Sequence, residues 1–305
     1  MRLHATGESV VVGMGQASID YLGRVSFFPA EDEKMELTDI EVQCGGPAST
    51  ALVALSRLGV KTSFLGAVSD DLFGIEIVKG LKEEGVDAAF LKIRPGYTSQ
   101  FAFIAITREN GKRTVFWHRG STPPLRREEV DLSLFPIARV LHLDGLMMEA
   151  SLEAARQAKK RGMKVVLDAG TFREGSLDLL SRVDIVIASE RFAVPLVGKE
   201  APPEDALEAL CRLGPEQTVI TLGPKGSVGL QGGKLNRQEA IPVHVVDTTG
   251  AGDVYHGAYL YGVLQDWSMS ECMRFASVVA AMKCRHVGAR KGIPRMEEIL
   301  SYQHA

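Results

Sequence analysis

The residues with the clearest capacity for chemistry lie in one stretch, 247–253, with the sequence DTTGAGD. Its two glycines, Gly250 and Gly252, allow the backbone to approach a ligand closely, and the unpaired N–H groups of a helix's first turn bind anions. The helix dipole would keep Asp253 ionised, so that its carboxylate could accept a proton from a hydroxyl group. The stretch therefore predicts a base beside an anion hole, although a tight turn with Asp253 as a helix cap fits the same letters.

Short β-branched runs alternate with helical patterns around this stretch. Strands are predicted at 10–12, 62–68, 101–107, 140–143, 164–168, 185–188, 218–222 and, directly before the stretch, in the apolar run 241–246. Helices are predicted at 47–58, 73–84, 151–161, 203–213, 252–265 and 269–284. This repeated order predicts an α/β fold with a mostly parallel sheet, which binds ligands at the carboxyl ends of its strands.

Two segments interrupt the alternation. The first, 18–43, contains an acidic EDEK run, and the second, 96–119, alternates polar and apolar residues around a hairpin turn at 109–111. Both patterns predict antiparallel strands outside the main sheet. We interpret them as a lid over a cleft, while a simple edge extension or a dimerising surface would leave the same pattern.

The composition excludes several classes of protein. Of 305 residues, 45% are hydrophobic and 24% are charged, which is typical of a folded globular chain. A net charge of -3 lacks the basic excess of a nucleic-acid-binding domain. Four cysteines without a CxxC pair predict reduced thiols, and neither a leader nor a long apolar run is present. We therefore expect a cytoplasmic protein without membrane or nucleic-acid partners.

The DTTGAGD stretch, followed by VYHGAYL, resembles the C-terminal signature of the ribokinase-like, or PfkB, sugar kinases. Four further matches follow the family's order: Asp20 resembles the end of its GxxxxD motif, 45–48 its GG-x-A helix start, 221–226 its TxGxxG loop, and 288–294 its closing segment. The resemblance implies a ribokinase-like three-layer sandwich over 1–305 as a single kinase domain, with a small β lid formed by 18–43 and 96–119.

The resemblance also implies roles for individual residues. The base would be Asp253, and the anion hole would consist of the amides of Gly250, Ala251 and Gly252. The sugar would lie against Asp20, Gly45, Gly46, Thr50, which stands where many relatives have Asn, and Asp144, which follows a predicted strand. The ATP site would contain Thr221, Gly223, Gly226, Gly288 and Lys225, where Lys225 either reaches the phosphates or is solvated.

A role for metal ions is implied only by the resemblance. It implies Mg²⁺ with ATP and a monovalent cation, often K⁺, near Asp247 and Thr249. The family's NxxE motif corresponds here to 189–192, SERF, so the glutamate is missing from its expected place and Glu190 is the substitute candidate. Ser-Glu at this point and the phrase RFASVVAAMKC are similar to the sulfofructose kinase branch, whereas 113–120, RTVFWHRG, is unlike that branch's sulfonate-facing stretch.

The expected function is ATP-dependent phosphorylation of a sugar hydroxyl by a homodimer that associates through the lid. An aromatic pocket containing Phe101, Phe103 and Trp117 would favour a nucleoside acceptor instead. A sugar-binding regulator without turnover is the non-enzymatic alternative. His256 is expected to be packed or hydrogen-bonded, and Arg113, beside the hairpin turn, is expected to be solvated.

Overall fold

A computed structural model describes residues 9–109 and 111–303, with only the backbone of Gln303, so Asn110 of the predicted hairpin turn lies outside the described residues. Its helices are α1 (Pro47–Arg57), α2 (Leu72–Glu83), α3 (Met148–Lys160), α4 (Ser176–Leu180), α5 (Glu190–Val197), α6 (Pro203–Arg212), α7 (Ala251–Leu264), α8 (Met269–Lys283) and α9 (Met296–Gln303). None of the helices within these ranges combines the length and apolar character needed to cross a bilayer.

The strands form one large sheet and two small ones. They are β1 (Val11–Met14), β2 (Ser18–Val25), β3 (Asp39–Gly45), β4 (Thr62–Leu65), β5 (Ala67–Ser69), β6 (Val86–Asp87), β7 (Lys92–Arg94), β8 (Phe101–Thr107), β9 (Arg113–His118), β10 (Val140–Leu143), β11 (Lys164–Ala169), β12 (Ile185–Ser189), β13 (Gln217–Thr221), β14 (Ser227–Gln231) and β15 (Lys234–Gln238). The large sheet has the order β15-β14-β13-β12-β11-β10-β1-β4-β6, and the smallest pairs β5 with β7.

The large sheet is parallel from β6 to β13, and the β13–β14 and β14–β15 pairings are antiparallel, so that β14 alone runs opposite to the other strands of this sheet in the described residues. Its strands are apolar on both faces, as alternate residues show: Val11 belongs to one core and Val12 to the other. Helices α1, α2, α7 and α8 cover the first face, and α3, α4, α5 and α6 cover the second. The predicted three-layer α/β sandwich is therefore confirmed.

The predicted lid is a four-stranded sheet of order β3-β2-β8-β9. The hairpins β2–β3 and β8–β9 are antiparallel, as expected, and a parallel β2–β8 pairing joins them. One face buries Leu22, Ala102, Ile104 and Ile106 against Val287, which lies after α8. The lid thus packs on the segment that follows α8, next to the loop that precedes the DTTGAGD helix, where Val246 packs against the same cluster.

Helices α4, α5 and α9 were not predicted, and three predictions about strands need correction. The run 241–246 forms no strand, because Pro242 lacks an N–H donor and the amide of Val246 bonds instead to the carbonyl of Cys284, at 2.8 Å. The predicted strand 62–68 divides into β4 and β5 at Gly66. Strands β14 and β15 were not predicted, although Gly232 and Gly233 between them, both at positive φ, are a hairpin signal.

Candidate active site

Two acidic residues mark the carboxyl edge of the large sheet. Asp144 directly follows β10, and Asp168 is the penultimate residue of β11. Both side chains are buried, and the charge of Asp168 influences Asp253 near the start of α7. The parallel strands thus bring residues from three distant parts of the sequence to one edge, where open α/β sheets bind ligands.

The loop before α7 is held by Asp247. One carboxylate oxygen accepts hydrogen bonds from the amide and the hydroxyl of Thr249, at 2.8 and 2.7 Å, and the other accepts from the amide of Gly288 at 2.7 Å. The Lys283 ammonium donates to the backbone carbonyl of Asp247 at 2.9 Å. Gly250 then adopts φ 74°, and an added Cβ would lie 2.8 Å from the Cα of Ala289. Glycine is therefore required at 250 by the fold itself.

The first turn of α7 presents amides without a side-chain cap. The amide of Ala251 donates to the carbonyl of Thr248 at 3.2 Å, whereas the amides of Gly250 and Gly252 have no hydrogen-bond partner within 9–109 and 111–303. A Cβ added at Gly252 would meet nothing within 4 Å. Two of the three predicted anion-hole donors are consequently free, and the position of Gly252 faces open space.

Asp253 is half-buried at this helix start. Burial raises the pKa of its carboxyl group to about 6, and the negative charge of Asp168 raises it further, while His256 and Arg113 act in the opposite direction. A carboxylate whose pKa lies near the working pH is well matched to accept a proton and release it again. Its location and pKa suit a general base.

A buried ion pair lies beneath Asp253. The Nε2 atom of His256 is 3.2 Å from a carboxylate oxygen of Asp168. Burial disfavours the charged imidazole, but Asp168 outweighs it and raises the pKa of His256. His142, whose ring centroid is 5.9 Å away, has its pKa lowered to about 3 by burial and stays neutral. His256 is hydrogen-bonded and packed, as predicted, whereas Asp168 was not singled out in the sequence.

Asp20 of β2, predicted to contact the sugar, lies next to Gly45 in the segment before α1. One of its carboxylate oxygens accepts a hydrogen bond from Ser18 at 2.7 Å, and burial raises its pKa. A Cβ added at Gly45 would lie 2.0 Å from the other oxygen, so glycine there makes room for this carboxylate. Gly46, at φ 97°, is the N-cap of α1. Gly45 thus makes room for Asp20, whereas a Cβ added at Gly46 would lie 2.4 Å from the carbonyl oxygen of Gln16.

Asp144 and Thr50 are more enclosed than a direct sugar contact would suggest. The Asp144 carboxylate accepts hydrogen bonds from the amides of Gln16 at 2.7 Å and Leu146 at 3.0 Å, and burial raises its pKa to about 7. Asp144 therefore holds the loop after β1 through the amide of Gln16. The Thr50 hydroxyl is buried without a hydrogen-bond partner among the described residues.

The predicted ATP residues lie beside the ends of β12 and β13, where Ser189 pairs in register with Thr221. The Thr221 hydroxyl donates to the carbonyl of Ala188 at 3.3 Å. The following turn contains Gly223 at φ 56°, the exposed Lys225, and Gly226 at φ 89°. A Cβ at Gly226 would lie 2.0 Å from the carbonyl oxygen of Gln238, which explains the need for glycine.

The position of the missing glutamate is occupied by an aromatic residue. Phe192 is buried, and its ring centroid lies 5.3 Å from that of Phe172. Glu190, the first residue of α5, is exposed next to the β13 turn. No group of three His, Cys, Asp or Glu side chains is arranged for a metal ion in the described ranges. Glu190 offers a single carboxylate, which fits Mg²⁺ carried largely by phosphates and water.

The lid contacts the anion-hole loop directly. Arg113 of β9, expected to be solvated, donates from Nη1 to the carbonyl and the hydroxyl of Thr248, at 3.1 and 2.9 Å. Gln43 of β3 donates to the carbonyl of Val287 at 3.1 Å, and its side chain fills the space that a Cβ at Gly288 would need. The two edge strands of the lid sheet therefore contact the loop before α7 and the segment after α8, and glycine is needed at 288 because the Gln43 side chain fills the adjacent space.

Comparison with known proteins agrees with this geometry. The ribokinase of Haemophilus influenzae is 28% identical over 303 residues, which cover 96% of this chain and 98% of that protein. The 5-dehydro-2-deoxygluconokinase of Clostridium perfringens is 27% identical, covering 96% of this chain and 92% of that protein. A solved structure, Arabidopsis thaliana ribokinase complexed with ribose and ATP, has a TM-score of 0.84 at 25% identity, covering 96% of this chain and 98% of that chain.

The similarity extends over nearly the whole length of each protein, so the lid and the sheet are shared together. The family described as pfkB family carbohydrate kinase matches this chain over residues 9–296. That range contains the lid, the Asp20 segment, the β13 turn and the DTTGAGD helix. The relatives named above are all kinases of small molecules by their names. On its fold, its motifs and this match, the chain belongs to the pfkB family of carbohydrate kinases.

Proposed function

We propose that this kinase transfers the γ-phosphoryl group of ATP to a hydroxyl group of a sugar or sugar derivative. One observation carries the proposal: a half-buried aspartate with a pKa near 6 directly follows an uncapped helix start whose Gly252 faces open space. A base and an anion hole next to each other are what phosphoryl transfer to an alcohol requires. The sugar kinases among the relatives support the same acceptor class.

In the proposed reaction, Asp253 accepts the proton of the acceptor hydroxyl. The hydroxyl oxygen forms a bond to the γ-phosphorus, the bond from that phosphorus to the bridging oxygen breaks, and ADP leaves. The amides of Gly250 and Gly252 donate to the phosphoryl oxygens, where charge is concentrated. The buried ion pair of His256 and Asp168 fixes the first turns of α7 below the base. Positioning supplies most of the rate.

The remaining assignments follow the resemblance and the geometry. We propose that Asp20, Gly45, Gly46, Thr50 and Asp144 form the sugar side, and that Thr221, Gly223, Lys225, Gly226 and Gly288 form the ATP side. Glu190 would hold Mg²⁺ together with the nucleotide, where the ion neutralises phosphate charge. We place these residues in one kinase domain over 1–305, and in the cytoplasm, where ATP is supplied.

The decisive experiment is ADP release from MgATP over a panel of acceptors. The panel contains ketohexoses, pentoses, sugar acids, sulfofructose, phosphosugars and nucleosides, with the melting temperature recorded for each acceptor. Turnover of one sugar supports the proposal. Turnover of nucleosides alone supports the nucleoside kinase alternative, and a sugar that raises the melting temperature without ADP release supports the binding protein.

The outer face of the lid is apolar and exposed. Ile40, Val42 and Phe116, which the strand registers place on the face opposite Leu22 and Ile104, are each between 53% and 56% exposed. Burying such a face against a second copy would be favourable at about 25 cal/mol per Å². We therefore propose a homodimer through the lid and expect sedimentation equilibrium to give twice the chain mass. A monomeric mass at micromolar concentration would contradict the lid dimer.

The pH dependence of turnover follows from the pKa of Asp253. Only the ionised carboxylate accepts a proton, so at saturating MgATP we expect kcat to fall tenfold per pH unit below about pH 6 and to be level above it. The measurement is kcat across about pH 5 to 8, with the melting temperature at each pH as the control for unfolding. A kcat that stays constant down to pH 5 would remove Asp253 from the role of base.

A further inference from the structure

Lys283 places a fully buried ammonium group next to the anion-hole loop. It is the last residue of α8, with 0% of its surface exposed, and its Nζ atom donates to the carbonyl oxygen of Asp247 at 2.9 Å. Within the described residues this is the one hydrogen bond of that ammonium group. A lysine is almost never fully buried unless a negative environment compensates its charge.

That compensation comes from two sources. Asp247 contributes its buried carboxylate, and the carboxyl end of α8 contributes the negative pole of the helix dipole. The carbonyl of Cys284 at this helix end also accepts hydrogen bonds from the amides of Val246 and Asp247, at 2.8 and 3.2 Å. These bonds hold the loop at the carboxyl end of α8. Burial lowers the pKa of Lys283 on balance, while the carboxylates of Asp247 and Asp253 act in the opposite direction.

The residues predicted to hold a monovalent metal ion do not fit one here. Each Asp247 oxygen already accepts a hydrogen bond: the carbonyl from Lys283, one carboxylate oxygen from Thr249 and the other from Gly288. The Thr249 hydroxyl donates its proton to Asp247 as well. These oxygens keep lone pairs, but an alkali ion bound to them would lie next to the buried Lys283 ammonium group, whose positive charge would repel it.

We infer that the Lys283 ammonium is a tethered cation that takes the place of a bound monovalent metal ion in organising the anion-hole loop. Lys283 is a positioning residue: it fixes the carbonyl of Asp247, whose carboxylate in turn fixes Thr249 and Gly288, and Gly250 follows in the chain. The enzyme therefore needs no K⁺ for turnover. The inference rests on the proposed function only where kcat is measured.

The kinetic test compares the wild type with Lys283→Met and Lys283→Ala in potassium chloride and in choline chloride at equal ionic strength. We expect the wild-type kcat to agree within about twofold between the salts. Lys283→Met should lose at least about tenfold in kcat, the scale of one charged hydrogen bond. Lys283→Ala, which opens space beside Asp247, should regain activity with K⁺ and not with choline. The matched control is Lys160→Met, an exposed lysine at the end of α3, with no expected change.

A melting-temperature series separates this inference from the proposed function. K⁺ should raise the melting temperature of Lys283→Ala and leave that of the wild type unchanged, whether or not an acceptor has been found. Methionine fills a similar volume without charge, but it leaves the buried Asp247 without its cation, so Lys283→Met should fold with a lower melting temperature than the wild type. A wild type that K⁺ activates or stabilises, a Lys283→Met variant with wild-type kcat, or a Lys283→Ala variant indifferent to K⁺ would each overturn the inference.

Discussion

Replacing Asp253 by Asn is expected to lower kcat by about 10²- to 10⁴-fold, the range for loss of a general base. The amide of Asn has the shape of the carboxylate but cannot accept the hydroxyl proton, so the acceptor oxygen stays a poor nucleophile. Substrate binding should change little, because the groups proposed to hold the sugar and the phosphates remain. The measurement is kcat with ADP detection, together with acceptor and ATP affinities by calorimetry.

The fold of this variant should be intact or slightly more stable. Asp168 and Asp20 are both negative groups that raise the pKa of Asp253, so removing the charge at 253 relieves repulsion. A matched control is Asp178→Asn, an exposed aspartate on α4, which should leave both kcat and the melting temperature unchanged. A kcat near that of the wild type in Asp253→Asn, with normal affinities, would show that another group takes the proton.

Six of the nine described helices could be predicted because their ends carry local signals, whereas the shorter helices α4, α5 and α9 were missed. Pro47 lies at the first position of α1, where its missing N–H is not needed, and the predicted start is the observed one. Ser268 and Glu271 form a capping box that begins α8. Apolar runs such as β10 marked the buried parallel strands. Local sequence determines these boundaries, so sequence reasoning found them.

The parts that could not be predicted depend on distant contacts. The run 241–246 has the composition of a strand, but no neighbouring strand is available, and Cys284 takes the amide of Val246 instead. Arg113 reaches Thr248 across 135 positions of sequence, and Lys283 reaches Asp247 across 36. No rule based on sequence spacing predicts that these residues are in contact. The motif therefore located the proposed base and anion hole, while the residues that position them required the three-dimensional structure.

The two glycines of the DTTGAGD stretch look equivalent in the sequence, yet in the structure glycine is favoured at each position for a different physical reason. Gly250 has a positive φ and no room for a Cβ beside Ala289. Gly252 lies within α7, and an added Cβ would touch no protein atom. Glycine within a helix costs about 0.8–1 kcal/mol relative to alanine. Nothing inside the protein repays that cost at 252, which points to a ligand that must come close to the backbone.

Gly252→Ala is accordingly expected to separate stability from activity. The added methyl group should leave the melting temperature unchanged or raise it by a few degrees, since helix propensity improves by about 1 kcal/mol. The same methyl group would stand where the transferred phosphoryl group approaches the amide, so kcat/KM for ATP should fall by about 10²-fold. Calorimetry of unfolding and steady-state kinetics on one preparation measure both effects.

Gly250→Ala provides the opposite pattern from the same loop. Its Cβ would meet Ala289 and its φ of 74° is strained for alanine, so this variant should lose stability as well as activity. If Gly252→Ala instead kept full activity, the free amides at the start of α7 would not face the phosphoryl group, and the anion hole would have to be sought elsewhere. Loss of activity without loss of stability at 252, beside loss of both at 250, is the pattern that only a ligand at this helix start produces.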